Sequence, residues 1–479
     1  MEVTPPEHNA PRILSRSEHN VSRKNIDPDA LRVLYRLKGA GFVAYLVGGG
    51  VRDLLLERQP KDFDIGTTAH PQQVRKLFRN CFIVGRRFRL AHVRFGRKVV
   101  EVSTFRKATL PDEGETLVRR DNTFGTPEED AFRRDFTVNA LFYDIATFSV
   151  IDWVGGLEDL TARVIRCIGD PDVRFREDPV RMLRAVAIAA RLGFTIDPHT
   201  AESIRAMRGE IVRSSPARIL EEIYKILRQG RSRETFEMLH ACGLLAYLLP
   251  QADRAVAEGG SALLGSLSRL DEYRRAGLAT AEDLTNALLM GSLLQPLGVP
   301  LKRIAAAPPP RREAGEAAAD GAADGAEPPA ERDDVEAEME ALGVEEEDEG
   351  AEALARPIPL PFARRDLERL RLVLMAQRRL REAHAPASAR RALAARAYFD
   401  EAVRWLEIHG GDGGRDLAAH WRGLGPGPVD PEPAAGAAGA AGAETGAHPR
   451  PPRDPDAPSK RRRRRRRRRR PPAEPNGNA

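Results

Sequence analysis

Two aspartates separated by one residue carry the strongest chemical signal in the chain. Asp62 and Asp64 stand in a short stretch that predicts a β-strand, in which alternate side chains point to the same face. Neighbouring carboxylates are the hard oxygen ligands that Mg²⁺ prefers, and Glu101 on a later predicted strand could supply a third. Three acids around two ions about 3.5–4 Å apart would activate an attacking hydroxyl and stabilise a departing pyrophosphate.

A glycine cluster precedes these acids, at a predicted strand-to-helix turn. Gly48 and Gly49 lack a Cβ, so their backbone N–H groups could approach a triphosphate closely, and a helix N-terminus favours anions. Arg52, one turn into the helix, could add a charge-assisted contact. Each feature alone is usually a plain turn or a solvated strand residue. The combination at this spacing is much rarer and favours a nucleotide site.

A third group of residues lies at the predicted start of a helix. Pro179 suits the first helical position, with Asp178 as its N-cap. Arg181 follows about one turn later, on a face with Arg184. A carboxylate acceptor beside a guanidinium donor matches the edges of adenine and cytosine and rejects guanine and uracil. Out of context, a cap and a surface arginine would be the commoner interpretation.

Apolar periodicity and turn residues indicate the elements that position these side chains. The first 150 residues predict a small mixed α/β domain in which Asp27 caps the first helix and Gly96 lies in a hairpin turn. The predicted helices are 28–38, 51–56 and 71–78, and the predicted strands are 43–47, 62–65, 91–95 and 99–104.

After Asp152 the pattern becomes helical. A 3.6-residue apolar period runs from about Pro179 to Leu249, and a helix over 281–294 is predicted with Thr280 as its N-cap. Helices return from Asp366 to about Leu406.

Charge is segregated into blocks, although the formal net charge of the whole chain is only +6. The stretch 305–355 is rich in Ala, Glu, Gly, Asp and Pro, and predicts an acidic disordered insertion. An unbroken basic run from Lys460 to Arg470, including Arg461 and Arg465, predicts a disordered tail that binds RNA phosphates without sequence preference. A solubilising tail or a partner-binding peptide is the alternative interpretation of this run.

The composition also argues against several classes of protein. The chain contains three cysteines, far apart and without a CxxC pair, so neither a disulfide framework nor a zinc site is indicated. No apolar run approaches the length of a membrane span, and the first residues lack an apolar signal core. We therefore expect a cytoplasmic protein without a membrane partner.

Five ordered motifs resemble a known family. The chain is similar to the class II nucleotidyltransferases of the DNA polymerase β superfamily, which contains CCA-adding tRNA nucleotidyltransferases and bacterial poly(A) polymerases. The motifs are LVGGGVRDLLLERQPKDFDIGTTAHPQQVRKLF, RRDFTVNAL, DWVGGLEDL, EDPVRMLRAVAIAARLGF and SPARILEEIYKIL.

The resemblance implies a role for each matching position. Asp62 and Asp64 would be the metal-binding catalytic acids, Arg134 would grip the incoming nucleotide, and Asp135 would recognise the ribose hydroxyl and count as catalytic. It also implies that the group at the helix start acts as a protein template for the base, a group made up of Asp178, Arg181 and Arg184.

The resemblance also implies a fold class and a division of the chain. The fold is an α+β head with the nucleotidyltransferase fold, followed by an all-α neck, body and tail. The predicted segments are a tail (1–25), the head (26–155), the neck (156–230), the body (231–304), an acidic linker (305–356), a helical RNA-binding domain (357–422) and an Arg-rich tail (423–479).

A smaller segment separates the poly(A) polymerases from the CCA-adding enzymes. The sequence IVGRRFRLAHVRF, from Ile83 to Phe95, resembles the poly(A) group. We therefore expect adenylate addition to RNA 3′ ends from ATP with two Mg²⁺ ions, on mRNA and on tRNA, in contact with RNA-degradation machinery. The alternatives are a CCA-adding or A-adding tRNA enzyme and a non-catalytic RNA-binding protein of the same fold.

Overall fold

The computed structural model describes residues 10–85, 89–107, 123–299, 360–382 and 386–423. The predicted acidic linker lies outside the described residues, as does the basic run with Lys460, Arg461, Arg465 and Arg470. The predicted division into segments stays a prediction.

A mixed sheet forms the head. Within the described residues its strand order is β1-β8-β7-β2-β3-β6-β5-β4. Strands β3 and β6 run parallel and the other neighbours run antiparallel. The strands are β1 (Arg12–Leu14), β2 (Ala44–Val47), β3 (Asp64–Thr67), β4 (Cys81–Val84), β5 (Leu90–Phe95), β6 (Lys98–Thr104), β7 (Leu141–Asp144) and β8 (Ser149–Asp152).

Short helices connect and cover this sheet. Asp27 caps the first of them as predicted, because its carboxylate accepts the N–H groups of Asp29 at 2.9 Å and Ala30 at 3.2 Å. The helices of the head are α1 (Pro28–Gly39), α2 (Gly49–Leu55), α3 (Pro71–Leu77) and α4 (Pro127–Phe132).

The strand predicted to carry Asp62 and Asp64 is shorter than expected. Strand β3 begins at Asp64, where its pairing with Val47 of β2 starts, so Asp62 and Phe63 precede the ladder. The predicted alternation persists because Phe63 is buried while both aspartates face outward. Strand β4 was not predicted from the sequence.

Helices form the remainder of the described chain. They begin with α5 (Gly156–Ala162), α6 (Pro171–Glu177), α7 (Val180–Leu192), α8 (Pro198–Met207), α9 (Pro216–Arg228) and α10 (Ser232–Ala241). They continue with α11 (Leu245–Leu248), α12 (Pro250–Ala257), α13 (Ser261–Arg275), α14 (Asn286–Leu294), α15 (Arg364–Arg381), α16 (Ala387–Ala394), α17 (Phe399–His409) and α18 (Gly414–Gly423). Short strands β9 (Val164–Ile165) and β10 (Thr195–Ile196) pair in parallel.

Two predicted helix starts are wrong. Thr280 does not begin a helix: it and Asp283 bond to each other in a single turn, and the helix begins at Asn286 with Thr285 as its cap. Asp178 is not an N-cap either, because α6 ends there and Pro179 occupies the cap position of α7. Helix α18 lies beyond Leu406, where the helices predicted from apolar periodicity end, but falls almost entirely within the helical segment 357–422 that the resemblance implies. It is anchored by buried Trp421, whose Nε1 donates to the carbonyl of Leu380 at 2.8 Å.

The fold therefore agrees with the predicted class, an α+β head followed by helices. None of the helices in the described ranges has both the length and the hydropathy that a bilayer crossing requires.

Candidate active site

A polar cavity of about 630 Å³ opens between the sheet of the head and the helices α6, α7 and α9. Its wall gathers most of the residues that the sequence predicted for the site. These are Gly48, Gly49, Arg52, Asp64, Glu101, Arg134, Asp135, Asp178, Arg181 and Arg184. Asp62 is mostly exposed and does not line the cavity. The volume lies within the range typical of ligand pockets.

The carboxylates form an electrostatically coupled group. Burial raises the pKa of Asp64 to about 6, and the negative charges of Glu101 and Asp62 push it in the same direction. Burial also raises the pKa of Glu101, followed by the charge of Asp62. The sheet explains the proximity of Asp64 and Glu101, because pairing of Ile65 with Val102 places the preceding residues side by side.

Such a group fits a divalent cation, because a positive charge would relieve the mutual repulsion and the donors are all hard oxygens. In the described part of the chain, no three His, Cys, Asp or Glu side chains are already arranged to ligate an ion. The assignment of Asp62, Asp64 and Glu101 as ligands therefore stays a prediction.

Arginine side chains pack tightly against the glycine turn. Gly48 has a φ of 75°, and a Cβ there would lie 3.0 Å from Nη1 of Arg134. At Gly49 a Cβ would lie 3.2 Å from Nη2 of Arg52. Backbone conformation therefore favours glycine at Gly48, and at both positions a Cβ would require the neighbouring guanidinium to shift by a few tenths of an ångström.

Arg52 is buried and engaged within the protein. Its Nε donates to Oδ1 of Asp53 at 2.8 Å, and its Nη1 donates to the side chain of Asn139. Only 3% of the residue is exposed. Arg52 thus shapes the cavity wall, and its predicted contact with a nucleotide remains a prediction.

Asp130 holds Arg134 in place. Its Oδ2 accepts hydrogen bonds from Nε of Arg134 at 3.1 Å and from Nη2 at 2.9 Å, while Oδ1 accepts from Nε of Arg133 at 2.9 Å. Burial alone would raise the pKa of Asp130, but the two arginines outweigh it and lower the pKa. The guanidinium of Arg134 also lies 5.1 Å from the centre of the Phe142 ring.

Asp135 is buried and held from both sides. Its Oδ1 accepts the N–H of Phe136 at 2.9 Å and Nδ2 of Asn139 at 3.2 Å, and Nη2 of Arg184 lies 2.7 Å from Oδ2. Burial would raise the pKa of Asp135, but Arg184 and the hydrogen bond from Asn139 lower it overall. This carboxylate is thus kept ionised at the cavity wall.

The predicted base-reading pair has separate partners. Asp178 accepts two hydrogen bonds from Arg218 of α9, at 3.1 Å and 2.8 Å. Arg181 donates Nη1 to Oε2 of Glu177 at 2.9 Å and to the carbonyl of Arg174 at 2.9 Å. Both side chains line the cavity, but the carboxylate of Asp178 is already paired with an arginine.

Comparison with known proteins confirms the resemblance seen in the motifs. Residues 44–166 match the family model described as the poly A polymerase head domain. Residues 193–256 match the model described as the probable RNA and SrmB-binding site of polymerase A. The head domain thus contains Asp62, Asp64, Glu101, Arg134 and Asp135.

Individual relatives fall into two groups. The chain is 52% identical to poly(A) polymerase I of Salmonella typhi over 261 residues, which are 53% of this chain and 56% of the relative. It is 40% identical to the CCA-adding enzyme of Lactobacillus helveticus over 212 residues, which are 44% of this chain and 52% of the relative. The chain thus spans about half the length of the curated relatives it matches.

A solved structure supports the fold. The Bacillus stearothermophilus CCA-adding enzyme in complex with CTP superposes with a TM-score of 0.51 and 26% identity. The superposition covers 83% of this chain and 82% of that chain. The solved CCA-adding enzyme and this chain therefore share the architecture of an α+β head followed by helices.

Sequence reasoning missed several residues that line the cavity or hold its lining side chains in place. Asp130, Asn139, Glu177 and Arg218 all line the cavity or bond to residues that do. Asn139 and Arg218 stand inside the quoted motifs, so their motif membership was the available signal. Asp130 could have been noticed as the acid four residues before Arg134, a helical spacing that permits an ion pair.

Proposed function

We propose that this protein is a polynucleotide adenylyltransferase, which adds adenylate from ATP to RNA 3′ ends without a nucleic-acid template. The observation that carries this proposal is the single cavity that unites the carboxylates of the sheet with the arginines of the head and neck. Carboxylates suit the cations that accompany a triphosphate, and the arginines suit the triphosphate itself. The matches to poly(A) polymerases over the head and the following helices support the same reaction.

Each residue of the site has a proposed role that follows from its position. Asp62, Asp64 and Glu101 would hold Mg²⁺, which when bound neutralises phosphate charge and activates the 3′-hydroxyl. Arg134, fixed by Asp130, would bind the phosphates of ATP. Asp135, kept ionised by Arg184, would accept a hydrogen bond from the ribose hydroxyl. The 3′-hydroxyl of the RNA then attacks the α-phosphorus of ATP, and pyrophosphate leaves.

The choice of base follows from the pairing of Asp178. A free carboxylate beside Arg181 would accept the amino group of adenine or of cytosine equally well. Because Arg218 already donates to both carboxylate oxygens, Asp178 is a weaker acceptor toward the base and Arg181 becomes the principal donor. We propose that the fixed shape of this wall, rather than hydrogen-bond pattern alone, selects ATP.

We also propose the wider setting expected from the sequence. The RNA substrates include mRNA, and tRNA as a secondary class, and the reaction serves mRNA polyadenylation and RNA turnover beside RNA-degradation machinery in the cytoplasm. The poly(A) polymerase names of the relatives support the reaction class on which this setting rests.

A CCA-adding or A-adding tRNA nucleotidyltransferase is the second proposed function. It is favoured by the 40% identity to the Lactobacillus helveticus enzyme and by the likeness to a structure that holds CTP. Such an enzyme would stop after a fixed number of additions, and the CCA-adding form would accept CTP.

The decisive experiment supplies ATP, CTP or both, with Mg²⁺, to an oligo(A) primer and to tRNA lacking its CCA end. Long A-tails on the primer with little CTP use support the first proposal. Addition of C to the tRNA followed by a single A supports the second.

Variants separate catalysis from RNA binding. Asp62→Ala and Asp64→Ala should abolish incorporation, and Asp400→Ala, an exposed acid on α17, should not. No incorporation by the unaltered protein would favour the non-catalytic RNA-binding alternative.

A further inference from the structure

The face of the sheet that carries the catalytic acids extends beyond the cavity. Pairing places His92 beside Glu101 and Phe82 beside His92, and Asp64 stands next to Glu101 on the other side. Residues opposite each other in neighbouring strands point to the same face, so Asp64, Glu101, His92 and Phe82 form one row. We call the outer part of this face the β4–β6 platform, comprising Phe82, Val84, His92, Arg94 and Val99.

The platform is exposed and apolar at its outer end. Phe82 is 57% exposed, and Val84 and Val99 are each 46% exposed. Residues on the opposite face of the same strands, Cys81, Val93 and Val100, are buried in the core. The sheet is therefore covered on one face and open on the other, where a large aromatic ring meets solvent.

A cationic side chain accompanies the exposed ring. Arg94 pairs in register with Val99 and is exposed, and its Nε donates to the carbonyl of Gly96 at 2.8 Å. Within the ranges that the structure covers, no carboxylate forms an ion pair with Arg94. His92 lies toward the acids, with Nε2 3.6 Å from Oε2 of Glu101. The platform thus offers a ring for stacking beside a cation for phosphate.

The platform is continuous with the cavity. Leu90, which pairs with Val84 and shares its face, lines the cavity together with Glu101 and Ser103. Three strand spacings separate Asp64 from Phe82, which is about 14 Å along the row. This is a span of a few nucleotides, so a strand whose 3′ end lies at Asp64 would reach Phe82 with a base upstream of that end.

We propose that the β4–β6 platform binds the upstream nucleotides of the RNA primer, with a base stacked on Phe82 and a phosphate bound by Arg94. The proposal rests on the proposed adenylyltransferase function for its direction along the strand. An exposed aromatic beside an arginine, next to the reaction site, is the combination by which single strands are bound without sequence preference. Such tolerance suits an enzyme that extends many different RNA ends.

The first test compares primers of two lengths. For Phe82→Ala, the KM for an oligo(A) primer long enough to reach β4 should rise about tenfold relative to the KM for a dinucleotide, because only the longer primer loses a stacked base. The KM for ATP should stay unchanged. The control is Leu278→Ala, at a side chain that is 49% exposed on the body. In this variant, neither the ratio of the two primer KM values nor the KM for ATP should change.

Two further variants exclude a purely structural effect. Phe82→Trp keeps a stacking surface and should restore the primer KM, which a general loss of stability would not allow. Arg94→Gln should weaken binding of the longer primer and lower its salt slope by about one. Unchanged KM ratios in both Phe82→Ala and Arg94→Gln would overturn the proposal and leave the exposed strand β4 available to a protein partner instead.

Equilibrium binding separates this inference from the proposed function. If the unaltered protein fails to extend any primer, the adenylyltransferase proposal fails, but a fluorescent oligo(A) still reports on the platform. Binding weakened by Phe82→Ala and restored by Phe82→Trp would support the platform in that case too. Equal affinity of all three proteins would overturn it.

Discussion

Nη2 of Arg184 lies 2.7 Å from Oδ2 of Asp135, so helix α7 of the neck is joined to the head through a buried carboxylate. Arg184 is the largest influence that lowers the pKa of Asp135 against the effect of burial. The Arg184 side chain as a whole is 41% exposed, although its Nη2 lies against the buried acid. The pair therefore keeps an ionised carboxylate at the cavity wall.

We predict that Arg184→Ala raises the pKa of Asp135 and lowers the free energy of unfolding by about 2 kcal/mol, because a buried carboxylate loses its counter-ion but keeps two hydrogen bonds. Adenylate incorporation should fall on the order of a hundredfold, because the carboxylate that we propose binds the sugar moves or becomes protonated. For Arg184→Lys, both the free energy of unfolding and the rate of incorporation should lie between those of the parent protein and of Arg184→Ala. Urea unfolding and initial rates measure both effects, with exposed Arg378→Ala as the control. Wild-type rates in Arg184→Ala would contradict the assigned role.

Asp130 offers a test of positioning. We predict that Asp130→Asn raises the KM for ATP at least tenfold, because Arg134 loses the carboxylate that fixes its orientation, while the KM for primer stays unchanged. Stability should fall by about 3 kcal/mol, since two arginines lose a buried counter-ion. Glu129→Ala in the same helix removes only a capping hydrogen bond to Thr126 and should leave both KM values unaltered. A parallel rise of both KM values would point to general misfolding instead.

The parts of the site that the sequence predicts are those set by strand alternation and local spacing. Asp64 and Glu101 face the same side because each is followed by a buried residue in its strand, and alternation alone indicates this. The glycine turn is local too, since Gly48 requires a positive φ between strand and helix. Such features depend on a few neighbouring residues.

The parts that the sequence did not predict depend on packing between distant segments. The pairing of Asp178 with Arg218 joins residues 40 positions apart, and it exists only because α9 lies against the start of α7. The residues around Asp178 are also typical of a helix N-cap. In the structure its carboxylate pairs with Arg218 instead of capping a helix. Arg52 was expected to face the ligand, but Asn139 from a later segment engages its guanidinium. No local sequence pattern predicts either of these two interactions.

The Asp178–Arg218 pair leads to a prediction about nucleotide choice. We predict that Arg218→Ala increases the use of CTP relative to ATP about tenfold, because a freed carboxylate accepts the amino group of cytosine as well as that of adenine. Arg218→Lys should restore part of the discrimination, since a lysine keeps the charge but not the two parallel hydrogen bonds. The ratio of kcat/KM for the two nucleotides measures the effect, with Arg205→Ala as an exposed control. An unchanged ratio would show that the pair does not set base choice.

A buried histidine at the end of α17 predicts how stability depends on pH. Burial, followed by the positive charge of Arg269, lowers the pKa of His409 to about 3, and its Nε2 lies 2.9 Å from Oγ of Ser292. Below the pKa of about 6.5 in the unfolded chain, the unfolded state binds a proton that the folded state does not. The stabilising contribution is therefore complete above pH 6.5 and is lost progressively as the pH falls toward 3.

We predict that this residue alone lowers the free energy of unfolding by about 2 kcal/mol between pH 7 and pH 5. His409→Gln keeps a polar partner for Ser292 but cannot be protonated, so its unfolding free energy should change less over the same interval. The control is Leu278→Ala, an exposed position without an ionisable group, whose replacement should leave the pH dependence of the parent protein intact. Urea unfolding at both pH values measures the difference. Equal pH slopes in His409→Gln and the parent would mean that His409 takes up a proton in the folded state.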